Sequence, residues 1–190
     1  MKNLLLVISF LFTSASHAQF ALHFDSTGLY VNGNHVPNKL DAKRVKQIAG
    51  QYTSSYTLGE MDWENGLRDR DLKVCFNYKP NGFSIGYRKK YFDFGVVFLS
   101  IHRYSDKKNK TEGVIFDNSV TVDDFRMDTS SNYDQVKQGL AKHLLVYDDE
   151  YNLFKQVYAP ILYYAIYGHI VKFYFLPHSN KLSFIKVYRK

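Results

Sequence analysis

Glu60, Asp62 and Glu64 alternate around Trp63, the only tryptophan in the chain. Carboxylates beside an aromatic platform are the groups that cleave a glycosidic bond, one acting as acid and the other as base or nucleophile. Alternate spacing does not by itself bring carboxylates together, and Arg68 and Arg70 can neutralise them. The segment is therefore expected to be a surface loop with Trp63 packed as a plug, and no residue is assigned a catalytic role. Trp63 and Glu64 are kept as candidate binding residues for a glycan-acting enzyme or lectin. The seven histidines, at 17, 23, 35, 102, 143, 169 and 178, form no HxxxH or HExxH pattern, so neither a metal site nor a cofactor is expected. His102 and His169 fall in aromatic strands and are expected to be hydrogen-bonded core or sheet-face side chains. Asp148-Asp149-Glu150 with Asn152 lacks the glycine and the final glutamate of a calcium loop. No nucleophile elbow, phosphate-binding loop or Cys/His signature is present.

Two further sets of residues could bind rather than react. Arg88-Lys89-Lys90 and Arg103, Lys107, Lys108 and Lys110 are basic runs that a hairpin could bring together. Lys107, Lys108 and Lys110 are the candidate contacts for an acidic protein or an anionic envelope component; with export expected, nucleic acid is not an expected partner. Cys75 is the only cysteine, which rules out an intramolecular disulfide. In residues 72–78, Leu72, Val74, Phe76 and Tyr78 share one face of a strand and Lys73, Cys75 and Asn77 the other. Cys75 is read as a covered, inert side chain, since nothing nearby marks a depressed thiol pKa.

The elements that must position these residues begin after residue 18. Lys2, the apolar run 4–12 and small residues at 16 and 18 read as a secretory signal peptide cleaved before Gln19, giving a periplasmic or secreted protein. The 172 residues that remain, 19–190, suit one domain with a net charge of +6 once Lys2 is gone. Aromatic residues make up 17% of the chain and fall in period-two runs with β-branched neighbours, so the fold should be strand-rich.

Residues 21–25 and 29–31 flank a turn, and Asn32-Gly33 is a two-residue hairpin signal. Val45, Ile48, Ala49 and Tyr52 recur at helical spacing, with Asp41 as cap and Gly50 as stop, giving a helix over about 41–49. Residues 72–78 and 83–89 form a hairpin, 91–104 a central strand, and 114–122 a further strand-turn-strand. Tyr133, Val136, Leu140 and Leu144 mark a second helix from 133, capped among Ser130, Ser131 and Asn132. Residues 143–159 are read as continuing that helix, the alternative being two strands around Asp148-Asp149. From 157 to 176, 16 of 20 residues are apolar or aromatic. Pro160, Gly168, His169 and Lys172 argue for two strands rather than a membrane span. No internal repeat is evident.

The expected fold is thus α+β: a single domain with a large antiparallel sheet and about two helices on one face. Asn32-Gly33, Leu58-Gly59 and Trp63-Glu64-Asn65-Gly66-Leu67, set in residues 22–125, resemble a family of small exported bacterial domains of unknown function with a Trp-Asp-x-x-Gly-Ile-type segment. The resemblance implies an α+β fold and carries no activity. The expected function is binding: a periplasmic protein-binding module of inhibitor or immunity type. A glycan-acting enzyme or lectin using residues 60–64 and a structural or lipid-facing envelope component are the alternatives.

Overall fold

A computed structural model describes residues 19–58, 72–103, 114–153, 157–177 and 179–189. The chain runs β1 (Ala21–Asp25), β2 (Gly28–Val31), β3 (Asn34–His35), α1 (Ala42–Ala49), β4 (Ser54–Leu58) and β5 (Lys73–Tyr78). After a 3-10 turn at Lys79–Asn81 come β6 (Phe83–Arg88), β7 (Asp93–Ser100), β8 (His102–Arg103) and β9 (Val114–Ile115). The remainder is β10 (Ser119–Val122), β11 (Phe125–Met127), α2 (Tyr133–Gly139), β12 (Leu144–Leu153), β13 (Val157–Ile166), β14 (His169–Phe175) and β15 (Leu182–Arg189).

Local chemistry explains most of these boundaries. Asn32 and Gly33 both take positive φ, 51° and 77°, as the tight turn between β2 and β3 requires. The Asp41 carboxylate accepts from the Arg44 N–H at 2.8 Å, and Gly50 ends α1 at φ 80°. Asn132 and Gln135 form a reciprocal capping box at the start of α2.

The α+β class holds, but one large sheet does not describe the layout. An eight-stranded antiparallel sheet, β12-β13-β14-β15-β7-β6-β5-β4, faces a five-stranded sheet, β11-β10-β1-β2-β3. In the smaller sheet β1 and β10 pair in parallel, with Leu22 opposite Val120. That pairing joins segments about a hundred residues apart, so no local turn signal marks it. β4 and β11 are further strands that the sequence pattern did not mark.

The two sheets share one core. On the inner face of the large sheet, Leu162 pairs with Phe173, Phe173 with Ile185, Ile185 with Leu99 and Leu99 with Phe83. All five are at most 1% exposed. The small sheet brings Phe20, Leu22, Phe24, Leu29 and Val31 to the same core, and the helices add Val45, Ile48, Val136 and Leu140. Phe20 stacks on Phe83 at 4.1 Å, which ties the two sheets ring to ring.

Within 143–159, the described residues 143–153 and 157–159 are not helical. β12 and β13 run antiparallel from Leu144 opposite Ala165 to Leu153 opposite Val157, and the register shifts between Leu145 and Tyr147. That bulge inserts Val146 and breaks the two-residue alternation, leaving spacings that imitate a helix. Pairing with β13 decides the conformation, an example of tertiary context overriding local pattern. Residues 157–176, by contrast, do divide at Gly168, which sits at φ 77° in the turn between β13 and β14. Among the described residues no helix is long and apolar enough to cross a membrane.

Both halves of the chain repeat one order of elements: β1–β2, α1, β4–β7, then β10–β11, α2, β12–β15. Each half ends in a four-stranded meander, and the two meanders meet through their last strands, β7 and β15. The helices share Val-Lys-Gln, with Val45 and Val136 both fully buried. Such a short common string is why the repetition is visible in the topology and not in the sequence.

Candidate functional site: an aromatic cleft on the outer sheet face

The inner face of the large sheet is the core, so the period-two partners of the core residues lie on its outer face. There Asn77 on β5 is opposite Ser84 on β6, Ser84 is opposite Phe98 on β7, and Ser100 is opposite Phe184 on β15. These side chains, with Tyr56, Lys79 and Phe116, line a cleft of about 590 Å³. That volume lies within the range of small-molecule sites.

Phe98 and Phe184 are diagonal neighbours whose rings stack with centroids 5.9 Å apart at 20°. The Lys186 ammonium sits 5.1 Å over the Phe98 ring. Ser84 donates to the Asn77 side-chain oxygen. The Tyr56 hydroxyl is hydrogen-bonded to Ser84 and Cys75, and burial pushes its pKa up to about 12, so the phenol stays protonated at neutral pH.

The end of the cleft is built by Gly82 and Asn118. Gly82 closes the 3-10 turn in the left-handed region at φ 63°; a Cβ there would stand 2.9 Å from Ser100 Cβ and 3.0 Å from the Phe116 ring. Asn118, 2% exposed, donates through its amide to the carbonyls of Asn81 at 2.6 Å and Ser100 at 2.8 Å. Its oxygen accepts from the Phe20 N–H at 2.9 Å. One side chain therefore fixes the turn, the end of β7 and the start of the small sheet together.

Of the residues singled out in the sequence, only some are among those described. Trp63 and Glu64, with Glu60 and Asp62, and Lys107, Lys108 and Lys110 lie outside the described residues. Arg88, from the other basic run, forms a two-pronged pair with Asp93, which also has Arg189 at 3.8 Å. These contacts, led by the Arg88 hydrogen bonds, hold the Asp93 carboxyl below its ordinary range. Cys75 is a fully buried thiol as expected, seated where Gly86 leaves room: a Cβ on Gly86 would come 2.7 Å from its sulfur. His169 donates through its Nδ1–H to the Tyr167 carbonyl at 3.0 Å and packs edge-on against Phe24 and Phe94. Burial lowers its pKa.

The cleft residues escape a sequence reading because each strand's apolar alternation marks the core face and leaves the opposite face unmarked. The outward set Asn77, Ser84, Phe98, Ser100 and Phe184 was readable once the strand order was known. The chain matches no protein-family model, no curated protein and no solved structure.

A second cluster of titratable groups sits at the turn between β10 and β11. Asp123, at φ 54°, receives hydrogen bonds from the Tyr167 hydroxyl, the Lys142 ammonium at 2.9 Å and the His143 ring at 3.0 Å. These contacts join the small sheet, the end of α2 and the β13–β14 turn. They lower the Asp123 pKa from 3.8 to about 2, with the Tyr167 hydrogen bond the largest cause. A carboxylate whose folded pKa is depressed stabilises the fold above its unfolded pKa and loses that contribution as pH falls toward its folded pKa. Asp123→Asn is therefore expected to melt below the parent at pH 6, with the gap closing between about pH 4 and pH 2. Thermal melts of both proteins across that range check it, and a gap constant with pH would contradict it.

Proposed function

We propose that the protein is an exported, non-catalytic binding module whose partner is another protein, docking along β12. The observation that carries this reading is the exposure of Leu144, Val146 and Tyr147, at 66%, 52% and 50%, on the outermost strand of the large sheet. Sheet edges are ordinarily short, charged or covered, because an open edge offers backbone donors and acceptors to any extended chain. β12 is ten residues long and apolar over its first part, whereas the opposite edge, β4, is five residues long and carries Ser54, Ser55 and Thr57. A long edge with exposed apolar side chains suits strand addition by a partner, with backbone hydrogen bonds giving affinity and the side chains selectivity. Two ionisable clusters, Arg88–Asp93 and the Asp123 group, use their charges to join elements, which supports binding over catalysis.

Leu144→Lys places a charge on an exposed edge position and should leave the melting temperature within about 2 °C of the parent. With the purified parent as bait for envelope extract, a protein retained by the parent and lost from Leu144→Lys is the expected result. Retention of the same proteins by both baits would contradict the proposal.

A further inference from the structure

The outer cleft carries three polar groups that make no intramolecular hydrogen bond or ion pair among the described residues. They are the Asn77 side-chain NH2, the Ser100 hydroxyl and the Lys79 ammonium. Asn77 uses its side-chain oxygen to accept from Ser84, which turns its two N–H donors outward. Ser100 uses only its backbone in the surrounding network, donating to Gly82 and accepting from Asn118. Lys79 begins the 3-10 turn that ends at Gly82, and its backbone N–H is held by Thr53 at 2.9 Å, so the residue is anchored while its side chain stays free.

These groups surround the stacked Phe98–Phe184 pair, and together they define a ligand. A flat aromatic surface favours a face of C–H groups, the amide and hydroxyl suit a ring bearing several hydroxyls, and an unpaired ammonium at the rim suits a carboxylate. A purely apolar ligand would leave the amide and hydroxyl desolvated without partners, at a cost in affinity. We propose that the cleft binds an acidic saccharide, a pyranose unit bearing a carboxylate, with Phe184 against the ring, Asn77 and Ser100 on its hydroxyls and Lys79 on its carboxylate. This site is separate from β12 and does not depend on the protein-docking reading.

The test uses digalacturonic acid as probe, read by saturation-transfer difference NMR and calorimetric titration, with cellobiose and benzoate as comparison ligands. Digalacturonate should receive saturation from the protein and bind more tightly than either comparison ligand. Lys79→Met should weaken it about tenfold, the loss of one charge-assisted hydrogen bond, without changing the melting temperature. Phe184→Leu should remove binding, and Ser100→Val provides the same test should the Phe184 change unfold the protein. Absence of saturation transfer to digalacturonate at millimolar concentration, or equal affinity in the parent and all three variants, would overturn the proposal. Tighter binding of benzoate would overturn the saccharide assignment, and equal binding of cellobiose the role given to Lys79.

Discussion

Phe173→Ala should lower stability by about 3–5 kcal/mol and the melting temperature by on the order of 10 °C. Phe173 is fully buried on β14, between Leu162 on β13 and Ile185 on β15, and packs edge-on against Tyr164 at 6.2 Å. Its neighbours are held by strand ladders on both sides, so they cannot collapse into the space that the ring leaves, and the cavity cost adds to the lost transfer energy. Phe173→Leu is the control: it keeps most of the volume and should cost less than half as much. A calorimetric scan separates the two, and a shift of under about 2 °C for Phe173→Ala would show that the inner face is not the core described.

Asn118→Ala should cost about 3 kcal/mol or more, although it removes a smaller side chain than the phenylalanine. It takes the amide away from three buried or partly buried backbone groups at once: the Phe20 N–H and the carbonyls of Asn81 and Ser100. An unpaired buried polar group forfeits its hydration without compensation, about 1–3 kcal/mol each, so the penalty reflects the partners left behind more than the residue lost. Chemical denaturation of the variant measures it. A loss under about 1 kcal/mol would mean that water replaces the amide, and that Asn118 does not lock the end of the cleft.

Both residues illustrate what the chain discloses before it is folded. Phe173 is legible: its alternation with Val171 and Phe175 on a segment bounded by Gly168 and Pro177 marks a buried strand face. The same holds for α1, where Asp41, Val45, Ile48 and Gly50 supply cap, face and stop within one short stretch. Asn118 is not legible, because its three partners lie 98, 37 and 18 residues away and only the assembled sheets bring them together. The parallel pairing of β1 with β10 escapes a sequence reading for the same reason.

β12 escapes a sequence reading for a different reason. Its residues carry a consistent local pattern, and the bulge at Val146 makes that pattern look helical. Cleft formation was hidden by a third effect. Ser84, Ser100 and Asn77 look like the ordinary polar side of half-buried strands, and only the strand order β15-β7-β6-β5 sets them beside Phe98 and Phe184. Trp63 and Glu64, conspicuous in the sequence as the one tryptophan beside clustered carboxylates, lie outside the described residues.

Docking at β12 can be observed at the contact itself. A photo-crosslinking amino acid placed at position 146, on the exposed bulge, is compared with the same group at position 30, on β2 of the small sheet. After irradiation in envelope extract, position 146 should yield a defined adduct that excess parent protein competes away and Leu144→Lys does not, while position 30 yields none. Identical adducts from both positions, or no competable adduct at 146, would contradict a binding module that works through its long sheet edge.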